Sequence, residues 1–160
     1  MENNEILFDF VTRVIKEGAL DEGSTKYKLP EKGSKKAAGY DFYSAEYCII
    51  APNEIKYIKT GVKAKFPDDM ALLLLNRSSN PKKKGLILAN GVGLVDADYY
   101  NNEDNEGEIA FAFMNITDRP VEINIKDKLG QGMFVKYYDV TNYSDEEVSE
   151  RKGGFGSSDE

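Results

Sequence analysis

Short apolar runs rich in Ile, Val, Tyr and Phe recur along most of the chain, and turn signals separate them. The candidate strands are residues 6–11, 40–50, 55–66, 70–75, 108–114, 121–125 and 132–140. The breaks carry Pro, Asn and Asp, which favour turns, as in Pro52-Asn53 and Pro67-Asp68. Closely spaced short strands are typical of a β-sandwich or barrel, whereas a parallel sheet needs helical patterns between its strands. The pattern therefore predicts an all-β fold.

Helical signals are weak by comparison. The best one is the capping-box pattern at residues 144–147, which a single apolar residue, Val148, follows, so at most one helical turn is predicted there. From residue 141 the composition becomes polar and acidic, and then rich in glycine, which predicts a mobile arm. The chain is therefore expected to form one β domain, residues 1–140, followed by a flexible arm, residues 141–160.

The composition argues against several chemistries and partners. The chain has no histidine, on which zinc hydrolases, zinc deaminases and Ser-His or Cys-His nucleophiles draw, so a general acid or base is expected to be a carboxylate. A net charge of −7 repels a phosphate backbone and argues against nucleic-acid binding. No run approaches the ~20 apolar residues of a membrane span, and the first residues do not resemble a secretory signal. A cytoplasmic protein without a membrane or nucleic-acid partner is expected.

One candidate site follows the apolar run 70–75. Arg77, Ser78 and Ser79 combine a guanidinium group with two hydroxyls, and these groups bind phosphate oxygens. The basic stretch Lys82-Lys83-Lys84 comes shortly after them. Taken alone, the segment is equally compatible with a strand that ends in a solvated turn and a basic loop.

A second candidate site is the segment 90–99, which reads Asn-Gly-Val-Gly-Leu-Val-Asp-Ala-Asp-Tyr. Its apolar part suggests a hairpin whose glycines let a ligand approach backbone N–H and C=O groups closely. In an extended strand, Asp96 and Asp98 would share one face and Tyr99 would lie on the other. Taken alone, Asp-Ala-Asp is as often a solvated pair as a catalytic one.

Two further segments are less specific. A strand that begins after three small residues, 37–39, carries one acid, Asp41. No clear strand precedes the glycine-rich residues 153–158 and no helix is predicted after them. A nucleotide-binding loop of the Rossmann or Walker type, which lies between a strand and a helix, is therefore not expected there. Two interpretations stay open: a closing arm, in which Phe155 stacks on a base while Arg151 and Ser157 meet phosphates, or a disordered tail.

These four segments, together with a fifth at residues 127–133, resemble in sequence and order the motifs of the homotrimeric dUTPase family, over residues 37–158. The resemblance implies a jelly-roll-like β-barrel or sandwich with a mobile C-terminal arm. It also implies a homotrimer with active sites shared between chains, in which the arm, residues 141–160, closes over the active site of a neighbouring chain. The implied reaction is the Mg²⁺-dependent hydrolysis of dUTP to dUMP and pyrophosphate, which limits the incorporation of uracil into DNA and supplies dUMP.

The resemblance further implies a role for each matched residue. Asp96 matches the general base that activates water for in-line attack on the α-phosphorus, and Asp41 matches an acid that acts on Mg²⁺ through water. The other matches bind substrate. The phosphates are bound by Arg77, Ser78 and Ser79, the nucleotide is contacted by Gln131, uracil is recognised by Asn90, Gly93 and Leu94, and the deoxyribose packs against Tyr99. In the arm, the γ-phosphate and the face of uracil are contacted by Arg151, Phe155, Gly156 and Ser157.

One departure from the family pattern supports an alternative function. Residues 100–106 form an acidic, Asn-rich insertion after Tyr99, which is expected to be a surface loop. A regulatory binding protein on the same fold would use this loop to signal dUTP occupancy to a partner. The related dCTP deaminases share the barrel but would need their own catalytic glutamate. The matched base at Asp96 and the intact arm favour the hydrolase.

Overall fold

Short antiparallel strands make up most of the regular structure in the computed structural model, which describes residues 4–144 and residues 146, 148, 150, 151, 153 and 154. The strands are β1 (Leu7–Phe10), β2 (Glu31–Lys32), β3 (Tyr40–Tyr43), β4 (Cys48–Ile50), β5 (Ile55–Lys59), β6 (Val62–Lys65), β7 (Met70–Asn76), β8 (Leu86–Leu88), β9 (Gly93–Val95), β10 (Ala110–Asn115), β11 (Val121–Ile123) and β12 (Lys128–Lys136). One short helix, α1 (Thr12–Lys16), follows β1. The prediction of an all-β fold is confirmed.

The strands form two larger sheets and two strand pairs. The larger sheets have the orders β2-β3-β12-β7-β9 and β5-β10-β8, and the pairs are β1-β6 and β4-β11. The core lies where apolar side chains of the two larger sheets meet, with Phe42 and Leu72 from one and Ile58, Phe111 and Phe113 from the other. This packing holds β7 and β9 in place beside β10.

Strand β12 shows how the sequence adapts to this packing. A Cβ atom on Gly130 would lie 2.3 Å from the ring of Phe111, and one on Gly132 would lie 2.6 Å from the ring of Phe42. Only glycine leaves room for these rings on the inner face. Because side chains alternate along a strand, Gln131 between them faces outward.

Several predicted boundaries differ from the structure. The runs 40–50 and 55–66 each contain two strands. The second run is broken at Gly61, which has a φ of +71° and where a Cβ atom would lie 3.0 Å from Cγ1 of Val14. The last strand begins at Lys128 and ends at Lys136 instead of spanning 132–140. Of the predicted turn at 144–147, residues 144 and 146 are not helical, and residues 145 and 147 lie outside the described residues.

Helix α1 depends on the distant insertion. Its N-cap residue, Val11, provides no side-chain cap. Instead the carboxylate of Glu106 accepts hydrogen bonds from the backbone N–H of Thr12 at 3.1 Å and from its hydroxyl at 2.7 Å. The ammonium group of Lys63 lies 3.4 Å from the same carboxylate. An anion at a helix N-terminus accepts hydrogen bonds from otherwise unpaired N–H groups and interacts favourably with the helix dipole. Because Glu106 belongs to the insertion, the insertion stabilises the N-terminal segment.

Glu106→Gln is expected to lower the free energy of unfolding at pH 7 by about 0.5–1 kcal/mol, because it removes the charge at the helix N-terminus and beside Lys63. Burial raises the pKa of Glu106, but the hydrogen bonds from Thr12 and the charge of Lys63 outweigh it and hold the pKa below its usual value. The stabilisation is therefore complete above the ordinary glutamate pKa and is lost as the pH falls through the lowered one.

Urea unfolding of both proteins over an acid-to-neutral pH series measures this difference. The matched control is Glu103→Gln, which changes an exposed glutamate of the same insertion that makes no ion pair among the described residues. A stability difference for Glu106→Gln that stays constant down to strongly acidic pH would contradict the role given to the charge.

Candidate active site

A pocket of about 260 Å³ opens beside β9, between the two larger sheets. At its inner side Gly93 pairs with Leu74 of β7, and a Cβ atom on Gly93 would lie 2.9 Å from Cβ of Leu74. Glycine therefore allows β9 to approach β7 closely. The lining residues are Tyr57, Leu74, Leu88, Asn90, Gly93, Leu94, Val95, Asp96, Tyr99, Ile109, Ala110, Phe111, Ala112 and Arg151.

The turn between β8 and β9 places Asn90 on the pocket wall. Gly91, at a φ of +73°, donates its backbone N–H to the carbonyl of Leu88 at 3.1 Å. The predicted hairpin is wrong in one respect: β8 pairs with β10 and β9 pairs with β7, so the turn joins two sheets instead of two paired strands. The pocket opens at this junction.

The two acids do not lie on an extended strand as predicted. Strand β9 ends at Val95, and Ala97–Tyr99 forms a 3₁₀ turn. Both carboxylates nevertheless bind the same guanidinium: Nε of Arg151 donates to Asp98 at 2.8 Å, and Nη2 donates to Asp96. Asp96 lines the pocket, whereas Asp98 is not one of the lining residues. The two acids therefore differ in their access to the pocket, because the 3₁₀ turn leaves Asp96 at the pocket and Asp98 away from it.

Of the arm residues that the structure describes, Arg151 lines the pocket. Partial burial lowers its pKa, but the hydrogen bonds and charges of Asp98 and Asp96 outweigh this and raise the pKa above its ordinary value. Its guanidinium carbon lies 5.8 Å from the centre of the Tyr99 ring. Arg151 therefore stays charged and covers the acids and the aromatic ring. Phe155, Gly156 and Ser157, the other predicted arm residues, lie outside the described residues.

Tyr99 forms a firmly held side of the pocket. Its side chain is 8% exposed. Its hydroxyl donates to the carbonyl oxygen of Glu108 at 2.7 Å and accepts from Nδ2 of Asn105 at 2.8 Å. Burial raises the pKa of Tyr99, so the phenol stays neutral at physiological pH.

The remaining predicted residues form a second group outside the pocket lining. Asp41 of β3 and Gln131 of β12 are cross-strand neighbours, and Gln131 is paired on its other side with Leu75 of β7, just before Arg77. Nζ of Lys128 lies 3.3 Å from the carboxylate of Asp41. Ser78 and Ser79 follow Arg77 at the end of β7. Within one chain, the structure therefore brings the predicted residues together in two groups.

Two asparagines that support the second group were not predicted as site residues. The amide nitrogen of Asn80, which is 2% exposed, donates to Oδ1 of Asn76 at 2.8 Å and to the carbonyl of Leu129 at 2.7 Å. Nδ2 of Asn76 donates to the carbonyl of Leu86 at 3.0 Å. These bonds close the turn that presents Arg77. A sequence signal for this turn is the Asn80-Pro81 pair, a dipeptide that favours turns. The basic stretch forms a π-helical turn, Asn80–Lys84, instead of the basic loop considered from the sequence.

Comparison with known proteins places this chain in a family. The sequence model of the dUTPase family matches residues 25–159. The deoxyuridine 5'-triphosphate nucleotidohydrolase of Lactococcus lactis is 44% identical over 138 residues, which are 83% of this chain and 92% of that protein. The enzyme of the same name from Histophilus somni strain 2336 is 32% identical over 140 residues, 84% of this chain and 89% of that protein.

A solved structure agrees with the sequence matches. The crystal structure of dUTPase from Streptococcus mutans superposes with a TM-score of 0.74 at 37% identity, covering 84% of this chain and 98% of that chain. Its fold is the jelly-roll β fold, which confirms the architecture expected from the sequence. Residues 1–24, which contain β1 and α1, lie outside the family match.

Proposed function

The chain belongs to the dUTPase family and is a dUTP diphosphatase, and from this premise we propose that Asp96 is the general base of the reaction. The observation that carries the proposal is the pocket itself, which collects Asn90, Gly93, Leu94, Asp96 and Tyr99 around one space. Asp96 supplies a carboxylate that can activate a water. The turn at Asn90 and the ring of Tyr99 supply polar and aromatic groups that can hold a deoxynucleoside beside it.

Asp96 lies at the end of β9 with its side chain 51% exposed, so water can reach the carboxylate. In the proposed step this carboxylate takes a proton from water as the water oxygen attacks the α-phosphorus in line. The bond from the α-phosphorus to the oxygen that bridges to the β-phosphorus breaks, and that oxygen leaves with pyrophosphate. The products are dUMP and pyrophosphate.

Recognition of the nucleoside is assigned to the turn and to Tyr99. Strand β9 is the last strand of its sheet, so its outer edge has no partner strand in the described part of the chain. Such an edge offers backbone N–H and C=O groups to a base, beside the Asn90 amide. Gly93 and Leu94 would supply these groups to uracil. Tyr99 would pack against the deoxyribose, where a 2′-hydroxyl would clash.

The phosphates are assigned to the second group of residues. Arg77, Ser78 and Ser79 offer charged and hydroxyl donors. Gln131 adds an amide whose Nε2 donates to the carbonyl of Asn76, the residue before Arg77, at 3.2 Å. Because this group does not line the pocket of its own chain, we infer that a complete site combines residues of different chains in a homotrimer. The barrel, residues 1–140, and the arm, residues 141–160, would then act as separate parts of one site.

Mg²⁺ is assigned to the phosphate end, where Asp41 would act on it through water. No three His, Cys, Asp or Glu side chains cluster as a metal site within the described residues. One half-buried carboxylate beside the phosphate donors still suits Mg²⁺, which keeps several waters and binds substrate phosphates directly. When bound, the ion neutralises charge on the triphosphate.

The arm is proposed to close over bound dUTP. Arg151 now binds Asp96 and Asp98, and a triphosphate would compete with these carboxylates for the guanidinium. Its transfer to the γ-phosphate would also free Asp96 for water. Stacking of Phe155 on uracil and phosphate contacts from Gly156 and Ser157 complete the proposed closure.

Among the described residues, no observation favours the alternative of a regulatory dUTP-binding protein. The part of the chain that the structure describes has no helix long and apolar enough to span a membrane. The cytoplasmic location and the lack of nucleic-acid binding stay predictions from the sequence.

A substrate panel tests the proposed specificity. Purified protein with Mg²⁺ is expected to release pyrophosphate from dUTP and to discriminate against dTTP, dCTP and UTP by at least about 10²-fold in kcat/KM. Removal of Mg²⁺ with EDTA is expected to abolish most of the turnover, and added Mg²⁺ to restore it. Comparable turnover of dCTP or UTP would contradict the assigned pocket, and full activity in EDTA would contradict the metal assignment.

A further inference from the structure

Building on the proposed role of Tyr99, we propose that Asn105 of the insertion is a positioning residue that fixes the Tyr99 ring against the deoxyribose. Through this ring, Asn105 contributes to the rejection of UTP. The insertion is then part of the specificity apparatus, in addition to its support of helix α1.

The Tyr99 hydroxyl makes hydrogen bonds in both directions. It accepts a hydrogen bond from Nδ2 of Asn105 at 2.8 Å while it donates to the carbonyl of Glu108 at 2.7 Å. Two hydrogen bonds in opposite directions fix the position of the phenol oxygen at one end of the ring. A ring that rejects a single additional hydroxyl by steric clash has to be held within fractions of an ångström.

Its own hydrogen bonds give the Asn105 amide a single orientation. Its Oδ1 accepts from Nδ2 of Asn102 at 2.7 Å and from the backbone N–H of Gly107 at 3.0 Å. A flipped amide would point N–H groups at these two donors, so the oxygen must face them. Nδ2 is therefore directed at the Tyr99 hydroxyl.

Hydrogen bonds and close packing hold the insertion in place. Nδ2 of the buried Asn102 also donates to the carbonyl of Tyr99 at 2.8 Å, which closes the loop on the residue that it holds. Gly107, at a φ of +87°, lies so close that a Cβ atom would be 2.5 Å from the same carbonyl. The hydroxyl of Tyr100 donates to Asp9 of β1 at 2.7 Å. The predicted surface loop is thus a structured support with exposed tips.

The arm meets the same amide. A Cβ atom on Gly154 would lie 2.7 Å from Nδ2 of Asn105 and 3.4 Å from the Tyr99 ring, and the backbone N–H of Gly154 donates to Asp104 at 3.4 Å. The ring, the insertion and the arm therefore meet at Asn105. Asn105 can therefore influence the site although it does not line the pocket.

Asn105→Ala is expected to lower the ratio of kcat/KM for dUTP to kcat/KM for UTP by about tenfold, the value of about one hydrogen bond. Asn105→Asp is a second variant that keeps the Oδ1 acceptor for Asn102 and Gly107 but cannot donate to Tyr99. Its second carboxylate oxygen can hold the phenol only by accepting the hydrogen that now goes to the carbonyl of Glu108, so the ratio is expected to fall, but by no more than in Asn105→Ala. Glu103→Ala, at an exposed position of the same loop, is the matched control and should leave the ratio unchanged.

Tyr99→Phe separates positioning from a general effect on the loop. It removes the hydroxyl through which Asn105 acts, so Asn105→Ala should lower the ratio in wild-type protein but not further in Tyr99→Phe. An equal reduction in both backgrounds, or a lower melting temperature with an unchanged ratio, would overturn the proposal. Tyr99→Ala tests the underlying assignment separately, since an unchanged ratio in that variant would refute the sugar-packing role of Tyr99 itself.

Discussion

Asp96→Asn is expected to fold and bind dUTP with near-normal affinity while kcat falls by about 10²–10⁴-fold, the usual contribution of a general base. The amide has almost the shape of the carboxylate, but it cannot accept the proton of the attacking water. Single-turnover pyrophosphate release measures the loss of chemistry, and calorimetric titration with dUTP measures binding. The change should therefore lie in kcat and not in KM.

The neighbouring acid provides the matched control. Asp98→Asn makes the same chemical change two residues away and also weakens a contact with Arg151, but Asp98 does not line the pocket. Its kcat is expected to stay within about a few-fold of the wild type, as for a surface change that leaves the reacting groups intact. Equal losses in both variants would show that the Arg151 contact, and not proton transfer, explains the effect. A near-normal kcat for Asp96→Asn would show that another group is the base.

The sequence was sufficient to predict the all-β class, because short apolar runs and turn residues are local signals. The order of strands in the sheets is not local. Strand β9 leaves the turn after β8 and pairs with β7 at Leu72–Leu74, where Gly93 permits the close approach. The pattern of residues 90–99 predicted a hairpin because β7, the strand with which β9 actually pairs, lies outside that segment.

The same limit explains the missed helix and the missed asparagine. Helix α1 is capped by Glu106, 94 residues from Thr12, so the N-terminal sequence carries no cap signal of its own. The role of Asn105 depends on a loop closed by Asn102 and Gly107 around Tyr99, and an Asn-rich acidic stretch predicts only a surface loop. The motif resemblance proposed candidate residues for the chemistry, such as Asp96, but it did not point to the residues that position them.

Deletion of residues 151–160 is expected to lower kcat/KM for dUTP by on the order of 10²-fold while the barrel keeps its melting temperature. The deletion removes Arg151, whose charged hydrogen bonds to phosphate would contribute about 1.5–3 kcal/mol, and the proposed stacking of Phe155. Stability should change little, because the contacts of the described arm residues with the barrel are at its surface: Arg151 pairs with the exposed Asp96 and Asp98, and the backbone N–H of Gly154 donates to the exposed Asp104. Arg151→Gln should reproduce part of the loss. Full activity without the arm would contradict its closing role.

Mixing the two inactive variants decides whether the arm serves its own chain or a neighbour. In this structure Arg151 binds Asp96 of the same chain, whereas the proposed trimer places the arm on another chain's pocket. If each site takes its base and its arm from different chains, equal amounts of Asp96→Asn and arm-deleted protein, unfolded and refolded together, should recover about a quarter of wild-type activity. That fraction is the chance that a site receives an intact base and an intact arm. A site built within one chain gains nothing from mixing, since every chain lacks one of the two parts. Activity at the level of the separate variants would therefore overturn the shared site and assign Arg151 to its own pocket.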